Sequence, residues 1–276
     1  MGWTLLAASL ALLDIRQKIA FFIAFLAIAV GISTHILGSP AIISLLMISV
    51  LGLAHVYFKT KGHIIGKSIT EAMLVMVSVL LFIHLIPGFH NLKYLDKVQA
   101  GPLSTPFSMY FNFDKALIPF ILLCCMPSLF RSTPAVNAPA HGWAFLIAAV
   151  PLLLGLATAL GGLAVELHLP GWFPAFVIAN ILFVSLAEEA LFRGYIQQKL
   201  NQWMNPYSAL TITSLLFGAA HFAGGGLMMA FATLAGLIYG IAWMWSGRLW
   251  VAVGFHFTLN MLHLLFYTYP VKAIIS

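Results

Sequence analysis

Charge is what this chain has least of. Only 7% of its 276 residues are Asp, Glu, Lys or Arg, against about a quarter in soluble domains, while 62% are hydrophobic. Such a composition cannot clothe a water-facing surface, which excludes a soluble globular domain. Cysteine is scarce as well. Cys124 and Cys125 are the only two, adjacent in an apolar stretch, so neither a disulfide framework nor a four-ligand zinc knuckle can be built from them. Long polar loops are missing too, the longest connections being His90 to Ser108 and Ser132 to His141, and no separate soluble domain is expected. The net charge is +6, but no basic cluster is dense enough to serve nucleic acid, which is excluded as a partner.

What the chain does have is apolar sequence in membrane-spanning lengths. A helix needs about 17 to 25 predominantly apolar residues to cross a bilayer. Nine stretches qualify: 19–37, 40–58, 69–88, 110–130, 142–162, 173–196, 207–222, 226–246 and 249–269. The fourth is irregular, because Asn112, Asp114, Lys115 and Pro119 crowd its start, and the seventh is short, so eight spans fit equally well. The expected fold is all-α: a multi-pass integral membrane protein built as a helical bundle of about eight or nine transmembrane helices, with the lipid bilayer as its surroundings. The opening run, Gly2 to Leu13, is too short to cross and has no basic region ahead of it, so it reads as an interfacial helix and not a cleaved signal. Arg16, Lys18, Lys59, Lys61, Lys67, Arg131, Lys199 and Arg248 fall in alternate connections, which places those connections and the amino terminus on the cytoplasmic side.

Against this background, Glu188, Glu189 and Arg193 stand out. Ionisable side chains in lipid are costly and need a compensating role. On an α-helix, residues four apart share a face, so Glu189 is expected to face Arg193, with Glu188 left pointing elsewhere and able to exchange a proton with water. Both glutamates could instead join one ion-pair network that holds helices together. Phe217 and His221 repeat the four-residue spacing, with Gly218, Ala219 and Ala220 between them allowing a neighbouring helix to approach closely. His256 and Asn260 repeat it again in the last span. The run Gly224-Gly225-Gly226 implies that the helix carrying His221 ends early, beside a water-filled cavity. Gly236 and Gly240 make a small-x-x-x-small face better suited to internal packing than to dimerisation. Asn180 is a further polar residue two turns before Glu188. His35, His55, His63, His84, His90, His141 and His168 carry no partner spacing and read as structural, with His263 a borderline case.

Taken in order, Glu-Glu-x-x-x-Arg, Phe-x-x-x-His and His-x-x-x-Asn resemble the CPBP family of intramembrane endopeptidases, the CAAX protease and bacteriocin-processing group also called Abi proteins. The three motifs match without departure at Glu188, Glu189 and Arg193, at Phe217 and His221, and at His256 and Asn260. They lie within residues 142–276, expected to be the protease core, while residues 1–141 carry no such motif and read as supporting spans.

The resemblance implies a hydrolase in which Glu188 activates a water for attack on a peptide carbonyl, assisted by His221. His256 and Asn260 would then donate hydrogen bonds to the oxyanion, and Glu189, Arg193 and Phe217 would support the site. The resemblance also admits a zinc enzyme ligated by Glu188, His221 and His256; the version without a cofactor is favoured here, because there is no His-Glu-x-x-His helix and Asn260 beside His256 suits an oxyanion donor better than a supporting carboxylate. Substrates would be membrane-associated or lipid-modified polypeptides, and the setting a bacterial inner membrane. Two other classes remain: a noncatalytic binding or immunity member of the same family, and a proton-linked transporter, which paired inverted repeats would favour and which the sequence does not show.

Overall fold

The computed structural model describes residues 1 to 273. Along the chain run α1 (Gly2–Leu12), α2 (Gln17–Ser33), α3 (Ser39–Thr60), α4 (Ile64–Phe82), β1 (Leu92–Val98), β2 (Phe107–Phe111), α5 (Phe113–Ala116), α6 (Ile118–Cys125) and α7 (Gly142–Ala159). They are followed by α8 (Phe173–Leu200), α9 (Pro206–Ala219), a short 3₁₀ turn (Phe222–Gly224), α10 (Gly225–Ser246) and α11 (Leu249–Phe266). Six helices, α3, α4, α7, α8, α10 with its preceding turn, and α11, are long and apolar enough to cross a membrane; α1 and α2 are apolar but shorter. The all-α polytopic bundle expected from composition is the observed class.

One expected span is not a single helix. Residues 110–130 divide into the end of β2 and the two short helices α5 and α6. The residues that made this stretch irregular are the cause. Asn91 accepts the Phe113 N–H at 2.8 Å, the Asp114 carboxylate accepts the Lys115 N–H at 2.9 Å, and Pro119 sits in the first turn of α6, where its missing N–H costs nothing. Local side-chain acceptors thus replace the ladder of a continuous helix. The connection from His90 to Ser108, read as a loop, contains β1, which pairs with β2 in a two-stranded sheet.

The chain forms two compact units. One comprises Met1–Leu92, Tyr110–Phe130 and Leu182–Leu191; the other comprises Lys93–Met109, Arg131–Ile181 and the chain from Phe192 onward.

In the first unit α1 packs on α2, α3 on α4, and α6 on α3, α4 and the Leu186–Glu189 stretch of α8. Ala20, Ala24, Ala27 and Gly31 form the buried stripe of α2, and Gly2 of α1 closes on Ala27 and Val30. Small residues permit this where no hydrophobic drive exists between helices in lipid. The outer sides are apolar and bare: Leu46, Met47, Val50 and Leu53 of α3 are all exposed, Leu53 by 72%, the inverse of a water-soluble surface. Between α3 and α4, the buried His55 bonds Thr70 at 3.0 Å.

In the second unit α9 packs along α10, α10 along α11, and both α10 and α11 on α7. Gly218 sets the α9–α10 spacing, since a side chain there would run into Thr233 and the Met229 carbonyl. Gly236 and Gly240 are used inside the chain: their carbonyls accept from Arg193 at 2.9 Å and Gln197 at 3.1 Å. At one end of the unit, three segments are tied around the buried Glu166, which accepts the Leu103 N–H at 2.7 Å and the Ser104 hydroxyl at 2.5 Å. Ser104 in turn accepts the Tyr269 N–H at 2.9 Å, and Thr268 exchanges bonds with Ala164.

Candidate active site

The first motif sits on α8, whose winding departs from the α-helix. The backbone is π-helical over Ala179–Ser185 and again over Ala190–Gln197, with only Leu186–Glu189 α-helical between them. Such widened turns recur at functional sites, and their i to i+5 bonding brings residues five apart onto a shared face. Arg193 is five residues from Glu188 and four from Glu189.

Glu188 and Glu189 are both buried in the first unit. The expectation that Glu188 lacks a dedicated counter-ion is corrected by Lys115, whose Nζ lies 3.4 Å from Glu188 Oε1, with both side chains largely shielded. Lys115 was read as part of an irregular span start. The signal that would have identified it was the one applied to Glu188: an ionisable residue in an apolar stretch needs a partner. Its ammonium also lies 4.5 Å from the Phe82 ring centroid. Next to it in sequence, the buried Asp114 receives His84 Nδ1–H at 2.5 Å and the Asn91 amide at 3.1 Å.

The remaining motif residues gather in the second unit. Helix α9 ends at Ala219, as the glycine run implies, and Gly225, the first residue of α10, takes a φ of +83°. His221 therefore stands just beyond the helix end. Its Nδ1–H donates to the Phe217 carbonyl at 2.8 Å, which fixes the direction of the ring. The Phe217 ring lies 4.8 Å from the His221 ring and meets the His256 ring edge-on at 5.9 Å. His256 stacks on Tyr239 at 4.6 Å with planes 10° apart. The fully buried Arg193 guanidinium is 4.5 Å from the Phe217 centroid and 5.4 Å from that of Tyr239, so one cation lies against both rings that hold the imidazoles. Asn260 donates through Nδ2 to Asn180 Oδ1 at 3.2 Å, which fixes its amide and shows what Asn180 does. Tyr239 and Gln197 had no motif to mark them; their roles follow from contacts between helices, which spacing within one helix does not report.

His221, His256 and Asn260 line one cavity of about 230 Å³ in this unit, together with Phe217 and Tyr239. Its other walls are mainly apolar, including Leu154, Leu163, Leu227, Phe231 and Leu259. A few convergent polar groups in an apolar cleft is the usual composition of a small-molecule or peptide site. His263 also lines it, with its Nε2 engaged by the Thr268 carbonyl at 3.1 Å. Several of the histidines read as structural are so engaged: His63 caps α4 by accepting the Gly66 N–H, His90 bonds the His35 carbonyl, and His168 the Glu166 carbonyl. Beyond the end of α11, burial among Phe107, Phe176 and His263 pushes the Tyr269 phenol up to about 12. Among the described residues, no three His, Cys, Asp or Glu side chains stand together as a metal-holding group.

Residues 170–262 match the family model described as type II CAAX prenyl endopeptidase Rce1-like, a segment that contains every motif residue named above. The uncharacterized protein YpbD of Bacillus subtilis (strain 168) is 30% identical over 86 residues, which is 30% of this chain and 41% of that protein. No solved structure matches.

Proposed function

We propose, from the match of residues 170–262 to the Rce1-like model of type II CAAX prenyl endopeptidases, that this chain belongs to the wider CPBP family and is an intramembrane endopeptidase acting on membrane-associated or lipid-modified polypeptides. The observation that carries the reading is the cavity itself, where two histidines and an asparagine from two motifs meet against apolar walls. In the reaction, Glu188 acts as the base that takes a proton from the attacking water, and His221 assists. His256 and the Asn260 N–H not engaged by Asn180 donate to the oxyanion as it forms. Arg193, through Phe217 and Tyr239, keeps both imidazoles in place, and Glu189 braces the same helix. No metal takes part in this version. The protein is set in a bacterial inner membrane with its amino terminus in the cytoplasm, a topology supported by the alternation of basic connections.

The test is cleavage of a quenched fluorescent peptide ending in a prenylated cysteine motif, by the full chain in proteoliposomes. Glu188→Gln and His221→Ala are each expected to lower the rate by roughly 10²-fold or more, the scale of a lost general base. Full activity of Glu188→Gln would remove the proposed base. Activity lost to a chelator and restored by zinc would overturn the metal-free mechanism.

A further inference from the structure

The first unit holds an ion pair that no motif contains. Lys115 sits in the one stretch where an expected span is broken, and the break gives the lysine its position. Asp114, buried and bonded to His84 and Asn91, accepts the backbone N–H of Lys115 and so pins the chain at that residue. The ring of Phe82 packs against the ammonium, and the side chain ends 3.4 Å from Glu188 Oε1. The Lys115 and Glu188 side chains are 14% and 7% exposed, so water screens the pair little. The other acids of the neighbourhood are Glu189, adjacent on the same helix, and Asp114, which is served by His84, Asn91 and the Lys115 amide.

We propose that Lys115 is a positioning residue of the hydrolytic site: its ammonium keeps Glu188 ionised, and thus able to receive a proton from water, and fixes the direction of the carboxylate. The inference rests on Glu188 being the base. It adds a residue from outside the motif-bearing segment to the machinery, and it gives the broken segment a purpose. A merely structural ion pair would hold helices together and leave the chemistry indifferent to which neutral group replaced the lysine.

The experiment has two arms on the full chain in proteoliposomes. Infrared difference spectra between the parent and Glu188→Gln report the form of Glu188 without any substrate. A carboxylate band is expected in the parent, and a protonated-acid carbonyl band when the same difference is taken in a Lys115→Met background. In the second arm, cleavage of the prenylated reporter peptide by Lys115→Met is expected to fall roughly tenfold or more in kcat with KM unchanged, and Lys115→Arg to restore most of it. A Glu188 that stays ionised in Lys115→Met overturns the proposal, as does a Lys115→Met variant that is folded and keeps the parental kcat. If the parent cleaves nothing while the infrared bands depend on Lys115 as described, it is the protease reading that fails and the charge-holding role of Lys115 that stands.

Discussion

The contact between α9 and α10 can be tested by one methyl group. At Gly218 a Cβ would lie 2.7 Å from the Met229 carbonyl oxygen and 3.1 Å from the Thr233 Cβ. The carbonyl cannot turn aside, and Thr233 is held by its own hydroxyl, which donates to that carbonyl at 2.9 Å. Carbon and carbonyl oxygen ordinarily meet no closer than about 3.3 Å, and the Thr233 hydroxyl lies closer still to the added methyl, so in Gly218→Ala the two helices must part by at least about 0.6 Å. Overpacking of this kind costs about 1–3 kcal/mol. The local gain from replacing a helical glycine by alanine, about 1 kcal/mol, works in the other direction. Gly254 on α11 supplies the control, because a Cβ there meets nothing within 4 Å. Gly254→Ala therefore carries the local gain alone, and the difference between the two variants isolates the packing cost at about 1–3 kcal/mol. Reversible unfolding in mixed micelles measures that difference. Because Phe217 and His221 flank the contact, Gly218→Ala should also lose activity while Gly254→Ala keeps it. Equal stability of the two variants would refute the argument, since it would mean that α9 and α10 do not approach as closely as Gly218 implies.

Three further outcomes follow from the second unit. Tyr239→Ala removes the ring stacked on His256 and should lower cleavage roughly tenfold or more, whereas Tyr239→Phe retains the ring; equal rates for the two would show that stacking does not hold the imidazole. Glu166→Ala deprives the Leu103 N–H and Ser104 hydroxyl of their acceptor and should cost about 1–3 kcal/mol in unfolding, with Glu166→Gln costing less because one oxygen remains. The Tyr269 phenol is raised from 10.0 to about 12, so its contribution to stability is complete below pH 10 and is lost as pH rises through about 12. Tyr269→Phe should remove that alkaline step from a stability profile, and a step that persists in the variant would assign it to another group.

Much of the fold was legible because lipid imposes a simple rule: long apolar runs become helices, and the runs at α3, α4, α7, α8, α10 and α11 obeyed it. The end of α9 was legible from three consecutive glycines. The rule failed where polar side chains stood ready to take over backbone hydrogen bonds, as Asn91 and Asp114 do at α5, since a hydropathy window does not register who accepts an N–H. At the site, the residues meeting at the cavity were read from spacing, because four-residue intervals survive on any helix end. The partner of Glu188 was not, because it lies 73 residues away in sequence and joins elements that no local period connects. Winding was also hidden: nothing in Ala190 to Gln197 announces π-helix.

The broken span and the buried acids belong to one physical problem. A carboxylate held away from water needs either a proton or a cation, and a cation brought to it must itself be kept from water. An unbroken apolar helix could deliver a lysine only at the cost of burying its charge among lipid-like side chains. The short helices α5 and α6 avoid this, because the break carries its own acceptors: Asn91 for the Phe113 amide, and Asp114 for the Lys115 amide, with His84 and Asn91 in turn serving Asp114. Each polar group in the first unit's cluster thus answers the demand of the next, and Glu188 stands at its end with a cation already supplied. Irregularity in an otherwise uniform apolar chain is therefore informative in itself. Where the helical pattern fails without a glycine or proline run to excuse it, the polar residues responsible are the ones to set beside the charges that remain unexplained elsewhere.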